Sequence, residues 1–254
     1  MSPRVLILRA PGTNCDEESA YAFERAGGNA ERMHIARLLE SPRLLGDFQI
    51  LCLPGGFSYG DDIAAGRILG NQIRHHLADA CREFRDAGKL VLGICNGFQI
   101  LLKTGLLDLD DEGGSQATLT WNDSAKFEAR WVQLIVAPGN SVFLQGIEQM
   151  ELPVAHAEGK FVTRDETTLA ELHSAGRLVL RYTATNGAPS YPANPNGAMG
   201  DVAGVCDRSG RVLGLMPHPE RFIDRTQHPR WTREPNRTTG DGLRLFENAV
   251  RYFS

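Results

Sequence analysis

The sequence predicts an α/β fold, an open and mostly parallel sheet with helices on both faces and an antiparallel portion at one edge. Two observations support this prediction. In the first half of the 254 residues, short apolar segments alternate with amphipathic ones, which is typical of a parallel sheet covered on both faces. In the second half, apolar segments follow one another with few helical stretches between them, which predicts antiparallel strands.

In the first half, the predicted elements alternate strictly. The helix over 16–26 has Asn14 as its expected N-cap and Gly27 with Gly28 as its stop. A long amphipathic helix is predicted over 66–87, because apolar residues recur there at helical spacing. The predicted strands cover 4–10, 29–35, 48–53 and 89–94, and a further helix covers 99–107.

The second half has fewer predicted helices. Residues 119–121 and 127–136 are expected to pair with each other at one edge of the sheet. The segment 224–241 is rich in Arg, Pro and Thr and is predicted to be a surface excursion. Further strands are predicted over 153–157, 178–184, 201–206 and 211–216, and helices over 166–174 and 243–252.

Composition narrows the function classes. A formal net charge of −4 gives no electrostatic reason to expect nucleic acid or an anionic membrane as a partner. The five cysteines are widely spread without a C-x-x-C pair, which argues against a disulfide framework and against a thiolate zinc site. The apolar patch 5–8 is too short for a signal peptide or a membrane span. We therefore expect a cytoplasmic protein. The length of 254 residues favours one domain over residues 1–254, with two domains as the alternative.

The most informative segment is 93–99, a cysteine flanked by glycines between an apolar strand and a helix. Cys95 would lie on a sharp turn that only small neighbours tolerate, with its thiol exposed. The N-terminus of the following helix would favour the thiolate, because its free N–H groups and positive dipole end point at the sulfur. Although a lone cysteine is usually a small core residue, this context favours a nucleophile.

A thiolate nucleophile needs a base, and the base needs an orienting group. His218 and Glu220 lie two residues apart directly after a predicted strand. Because the carboxyl ends of parallel strands form one rim, we expect this loop to lie near Cys95. His218 would exchange protons with the thiol and the leaving amine, and Glu220 would fix the imidazole tautomer. His156 also follows a strand and is either a cleft residue or a structural histidine.

A glycine-rich segment follows the predicted strand 48–53. The N–H groups of Gly55 and Gly56 can form a cradle for an oxyanion, and the N–H of Asn96 would be a further donor. The run 56–60 also matches the G-x-S-x-G elbow of serine hydrolases. We interpret Ser58 as scaffold, since His218 has its carboxylate in its own loop, which suits Cys95 better.

These motifs together resemble class I glutamine amidotransferases. Within that class they resemble the glutaminase subunits that serve an ATP-dependent synthetase of purine biosynthesis. The likeness extends from Arg4 to the final helix. The motifs that carry it are Pro11-Gly12-Thr13-Asn14-Cys15-Asp16-Glu17, Pro54-Gly55-Gly56-Phe57-Ser58-Tyr59-Gly60-Asp61, Gly93-Ile94-Cys95-Asn96-Gly97-Phe98-Gln99, Val154-Ala155-His156-Ala157-Glu158-Gly159-Lys160-Phe161 and Leu215-Met216-Pro217-His218-Pro219-Glu220-Arg221.

The resemblance implies a flavodoxin-like fold and a glutaminase reaction through a glutamyl thioester on Cys95. It assigns His218 as general base and acid, Glu220 as its orienter, and Gln99 as a residue that helps to hold glutamine. It also implies no cofactor in this chain. ATP and Mg²⁺ are expected on a separate synthetase that binds formylglycinamide ribonucleotide, and a small bridging subunit is expected in the complex.

Two alternatives remain at this point. One is another cysteine-elbow α/β hydrolase or a chaperone-like protein, whose acid lies near the elbow. Glu220 beside His218 argues against it. The other is a degenerate amidotransferase that acts only as a binding subunit. The intact set of Cys95, His218 and Glu220 argues against that.

Overall fold

A computed structural model describes residues 2–112, 114–184, 186, 188–234 and 236–254. Position 235, inside the predicted excursion 224–241, lies outside the described residues. Within the described ranges, no helix has the length and apolar character needed to cross a bilayer.

Most strands belong to one large sheet. The strands of this nine-stranded sheet among the described residues are β1 (Arg4–Arg9), β2 (Asn29–His34), β3 (Ile50–Leu53), β4 (Leu90–Ile94), β8 (Glu128–Val136), β9 (Gln149–His156), β11 (Leu180–Thr183), β12 (Val202–Cys206) and β13 (Val212–Leu215). Two small antiparallel pairs lie outside it. They are β5 (Asp110–Asp111) with β6 (Gly114–Ser115), and β7 (Ala117–Thr120) with β10 (Lys160–Thr163).

The helices connect these strands. They are α1 (Asp16–Arg25), α2 (Ile35–Glu40), α3 (Arg67–His76), α4 (Ala78–Asp86), α5 (Asn96–Thr104), α6 (Glu166–Ser174) and α7 (Leu243–Arg251). Helices α1 and α7 pack together through Phe23 and Phe246, whose ring centroids are 4.9 Å apart. Helices α3 and α5 meet at Gly70, where a Cβ would lie 2.7 Å from the Cβ of Lys103.

The order of strands confirms the predicted fold class. The sheet runs β2-β1-β3-β4-β13-β12-β11-β8-β9. The first five strands are mutually parallel, and the remaining pairs are antiparallel. The parallel part has the flavodoxin-like order. Consecutive residues Val5 to Leu8 of β1 are all buried, as expected for a strand covered on both faces.

The predicted helix over 66–87 is wrong in one respect, because it is two helices. Leu77 has φ −122° and ψ 7° and separates α3 from α4. Its N–H still donates to the carbonyl oxygen of Ile73, and its side chain is buried. The apolar spacing from Ile73 through Leu77 to Phe84 continues across this break. The periodicity therefore gave no sign of it.

Two local predictions are also corrected. Strand β7 does not pair with β8 as expected, but with β10, while β8 pairs with β9 and β11. The connection between β7 and β8 is held by Asn122, whose side chain donates to the carbonyls of Lys126 and His156, so the chain does not form a hairpin there. The N-cap of α1 is Cys15 rather than Asn14.

Candidate active site

Cys95 lies on the turn between β4 and α5, as predicted. Its backbone has φ 53° and ψ −107°, a conformation that costs a non-glycine residue about 1–3 kcal/mol. Close packing leaves room only for glycine beside it, since a Cβ at Gly97 would lie 1.8 Å from the carbonyl oxygen of Leu53. The strand-to-helix geometry is that of a nucleophile elbow.

The Cys95 thiol is buried rather than exposed, which corrects the prediction. The residue is 5% exposed, and its Sγ donates to the carbonyl oxygen of Ala155 at 3.7 Å. Ala155 belongs to β9, whose sequence gave no sign that it would cover the thiol. The sulfur therefore meets a polar backbone group from the second half of the chain.

The sheet brings His218 close to Cys95. Strands β4 and β13 are parallel neighbours with Ile94 paired to Leu215, so the loops that follow them lie side by side at one rim. The Nδ1 of His218 is 2.6 Å from Oε1 of Glu220, and both residues are buried. The backbone N–H of His218 donates to the carbonyl oxygen of Pro153, which ties this loop to β9.

The electrostatics of this rim favour the protonated imidazole. Burial alone would lower the pKa of His218, but the Glu220 carboxylate and the Cys95 thiol raise it, and the net direction is well upward. Contact with the Cys15 thiol acts in the same direction. A histidine in this state stabilises a neighbouring thiolate and can return a proton to a leaving group.

The glycine loop after β3 reaches the same rim. A Cβ on Gly55 would lie 2.9 Å from Cε1 of His218, so the glycine lets the backbone contact the imidazole. Gly56 has φ 138° and packs on the first loop, where a Cβ would lie 2.7 Å from the backbone nitrogen of Asn14. The predicted cradle therefore lies next to the ring of His218.

Asn96 and Gln99 tie two loops to the first turn of α5. The Oδ1 of Asn96 accepts from the backbone N–H of Ser58, and its Nδ2 donates to Asp61 and to Oε1 of Gln99. The Nε2 of Gln99 donates to the carbonyl oxygen of Glu158 at 2.6 Å. The loop after β3 and the loop after β9 are thus both held on the first turn of α5.

His156 is fixed by Asn122, a residue that sequence reasoning did not single out. Oδ1 of Asn122 accepts from Nδ1 of His156 and from the N–H of Gly159, at 3.1 Å each. Burial lowers the pKa of His156 to about 3, and His218 adds to the lowering. The imidazole is therefore neutral near pH 7. Asn122 follows β7 without any motif, so only the tertiary structure reveals it.

Cys15 is the second residue that sequence reasoning passed over. Its sulfur lies beside Gly55 and accepts a hydrogen bond from Nη2 of Arg221 at 3.1 Å. Ser58, by contrast, has its hydroxyl buried and without a hydrogen-bond partner. Within the described part of the chain, no base contacts that hydroxyl.

Known proteins resemble this chain over almost its whole length. The family model described as a CobB/CobQ-like glutamine amidotransferase domain matches residues 2–253. A relative from Dehalococcoides mccartyi, named phosphoribosylformylglycinamidine synthase subunit PurQ, is 50% identical over 98% of this chain and 97% of its own length. A relative of the same name from Methanococcus maripaludis is 39% identical over 99% of this chain and 98% of its own length.

Solved structures agree with these relatives. A chain in the structure of PurLQS from Thermotoga maritima has a TM-score of 0.76 and 32% identity, and the match covers 100% of both chains. A glutamine amidotransferase from Thermotoga maritima, with a TM-score of 0.52 and 17% identity, shares the fold. The chain therefore belongs to the CobB/CobQ-like glutamine amidotransferase family.

Proposed function

We propose that this chain is the glutaminase subunit of a phosphoribosylformylglycinamidine synthase in purine biosynthesis. It hydrolyses glutamine and delivers ammonia to an ATP-dependent synthetase, which converts formylglycinamide ribonucleotide to formylglycinamidine ribonucleotide. Full-length similarity to the PurQ subunits supports this function. The observation that carries the chemistry is the rim where the Cys95 turn adjoins the buried pair of His218 and Glu220.

The proposed reaction begins at the sulfur. Cys95 gives its proton to His218 and attacks the side-chain carbonyl carbon of glutamine, which forms a tetrahedral oxyanion. His218 returns the proton to the amide nitrogen, ammonia leaves, and a glutamyl thioester remains on Cys95. Water, deprotonated by His218, then attacks the thioester carbon and releases glutamate with the free thiol. Glu220 keeps the imidazole oriented throughout.

The oxyanion would be held by backbone donors from two loops. We assign the N–H groups of Gly55, Gly56 and Asn96 to this role, because they belong to the glycine loop and to the first turn of α5. Gln99 would help to hold glutamine. Its amide hydrogen bonds to Asn96 and to the carbonyl of Glu158 support this assignment, since they fasten the loops around the thiol.

The same proposal specifies the partners. ATP and Mg²⁺ would bind to the synthetase subunit and not to this chain, and a small bridging subunit would complete the assembly. Similarity to a chain of PurLQS from Thermotoga maritima supports such a complex. We further propose that residues 1–254 form one amidotransferase domain that works in the cytoplasm, without nucleic-acid or membrane partners.

The test uses the chain assembled with its synthetase. Cys95→Ala should abolish synthesis from glutamine while synthesis from added ammonia continues, since only the thiol chemistry is removed. Cys81→Ser is the matched control, because Cys81 is buried in α4 outside the site. Full turnover of glutamine by the Cys95→Ala complex would exclude Cys95 as nucleophile. Loss of both activities would indicate damage to the assembly instead.

A further inference from the structure

The thiol of Cys15 adjoins the proposed catalytic residues but has no role in the proposed reaction. It caps α1 and is 1% exposed. A Cβ built on Gly55 would lie 3.0 Å from this sulfur and 2.9 Å from Cε1 of His218. The sulfur of Cys15 and the imidazole of His218 therefore both lie against Gly55, although the two residues are far apart in the sequence.

Three potential metal ligands converge here. One ligand atom from each of Cys15, His218 and Glu220 lies within 4.8 Å of the other two. A tetrahedral Zn²⁺, with bonds of about 2.0–2.3 Å, separates its ligand atoms by about 3.4–3.6 Å. The widest spacing would therefore have to contract by about 1 Å, and Nδ1 of His218 and Oε1 of Glu220, now 2.6 Å apart, would have to separate if both bound the ion. Within the described ranges, this is the one group of three or more such side chains with this spacing.

A second observation points to a ligand at the same place. Oε2 of Glu220 is buried and has no hydrogen-bond partner. Buried polar atoms are nearly always paired, and an unpaired carboxylate oxygen is especially costly. A cation bound to this cluster would supply the partner that Glu220 lacks.

We propose that Cys15, His218 and Glu220 form an inhibitory site for Zn²⁺. Thiolate, imidazole and carboxylate are the donor types that this ion prefers. Binding removes the proton of the Cys15 thiol and uses a neutral nitrogen of His218, so protons are released as the metal binds. The sequence predicted no metal site, because the three ligands have no recognisable spacing along the chain.

The consequence for activity rests on the proposed function. A metal on Nε2 of His218 would block proton exchange with Cys95. A metal on Nδ1 would displace Glu220 from the imidazole. Either arrangement stops the glutaminase reaction, so Zn²⁺ at this site acts as an inhibitor.

Arg221 places a positive charge beside the sulfur of Cys15. Its guanidinium contacts both the sulfur of Cys15 and Oε1 of Glu18, and its side chain is about one-third exposed. The cation must displace this positive charge. Arg221→Gln should therefore tighten metal binding several-fold, because the competing charge is gone while the three ligands remain.

The test measures metal binding directly, with Co²⁺ as the spectroscopic probe and no turnover required. The full chain and Cys95→Ala should each bind one Co²⁺ with a thiolate-to-metal charge-transfer band. Cys15→Ser should lose this band and bind at least tenfold more weakly, whereas Cys52→Ser, another buried thiol, should match the wild type. Because no glutamine is involved, this readout can succeed or fail independently of the proposed function.

Two results of this experiment would contradict the proposed metal site. A band that persists in Cys15→Ser but vanishes in Cys95→Ala would overturn the proposal and place the metal on Cys95. A chain with no band at all would also overturn it. If Cys15→Ser does not fold, as judged by circular dichroism, Glu220→Gln is the second variant and should lose at least tenfold in Co²⁺ affinity. Zn²⁺ inhibition of glutaminase activity, reversed by a chelator, is the functional counterpart.

Discussion

The contact between Glu220 and Nδ1 of His218 gives the sharpest test of the proposed catalytic set. Glu220→Gln keeps the shape of the side chain and removes its charge from a fully buried contact of 2.6 Å. A hydrogen bond to a charged group contributes about 1.5–3 kcal/mol. Since about 1.4 kcal/mol corresponds to a factor of ten in rate, kcat/KM for glutamine should fall about 10- to 150-fold.

The change should also alter the pH dependence. Burial lowers the pKa of His218, and Glu220 is the largest influence that raises it. Without the carboxylate, the limb of the kcat/KM profile that reports deprotonation of the imidazolium should move to lower pH. Because the folded-state pKa exceeds the unfolded value of about 6.5, the pair stabilises the fold fully below that pH and progressively less above it. The variant's loss of Tm should therefore be largest in acid and shrink as the pH rises.

The assay is glutamine-dependent synthesis by the assembled complex from about pH 5 to 9, with ammonia-dependent synthesis as the internal reference. Glu151→Gln is the matched control, since Glu151 is also a buried carboxylate beside a histidine, with Oε2 3.4 Å from Nε2 of His228. This control should keep kcat/KM close to the wild-type value. Two results would refute the role assigned to Glu220. One is a fall in kcat/KM of less than about threefold in Glu220→Gln, which corresponds to only about 0.7 kcal/mol. The other is a shift of the imidazolium limb of the pH profile to higher pH.

Three further outcomes follow from particular contacts. Ser58→Ala should retain thiol-dependent glutaminase activity, because its hydroxyl has no partner; complete loss in the same assay would favour a serine nucleophile instead. Gly97→Ala should lower the free energy of unfolding by about 1–3 kcal/mol, measured in urea, since its Cβ would meet the carbonyl of Leu53. Burial lowers the pKa of His156 to about 3, so wild-type stability falls as the pH drops below about 6.5. In thermal unfolding, the Tm of His156→Gln should fall less steeply with decreasing pH than that of the wild type. An unchanged pH dependence would show that burial of this imidazole does not cause the fall.

The fold was predictable where a single local pattern decides the structure. Short apolar segments alternating with helical ones lead to the parallel strands β1 to β4, and their carboxyl ends define the rim. The break at Leu77 was not predictable, because a buried leucine at helical spacing looks the same in one helix as between two. The pairing of β7 with β10 was missed for a related reason, since a distant partner leaves no trace in the local sequence.

The candidate site likewise contains residues that the sequence could predict and residues that it could not. Cys95, His218 and Glu220 were predictable because each follows a strand and because two lie in one short motif. The contact between the Cys95 thiol and the backbone carbonyl of Ala155 was not predictable, since any residue supplies a carbonyl. The roles of Asn122 and Cys15 depend on contacts across long sequence separations, and neither residue has a motif that distinguishes it from an ordinary loop asparagine or core cysteine.

The antiparallel half of the sheet contributes more to the site than its lack of motifs suggests. Strand β9 provides the carbonyl of Ala155 that accepts from Cys95, and the carbonyl of Pro153 that holds the backbone of His218. Two residues of one strand thus contact both proposed partners of the proton exchange. Because alternate residues of a strand point to the same side, a shift of β9 by one residue would remove both contacts at once. The register between β8 and β9, continuous over eight residue pairs, therefore determines which carbonyl groups of β9 contact the Cys95 thiol and the His218 backbone.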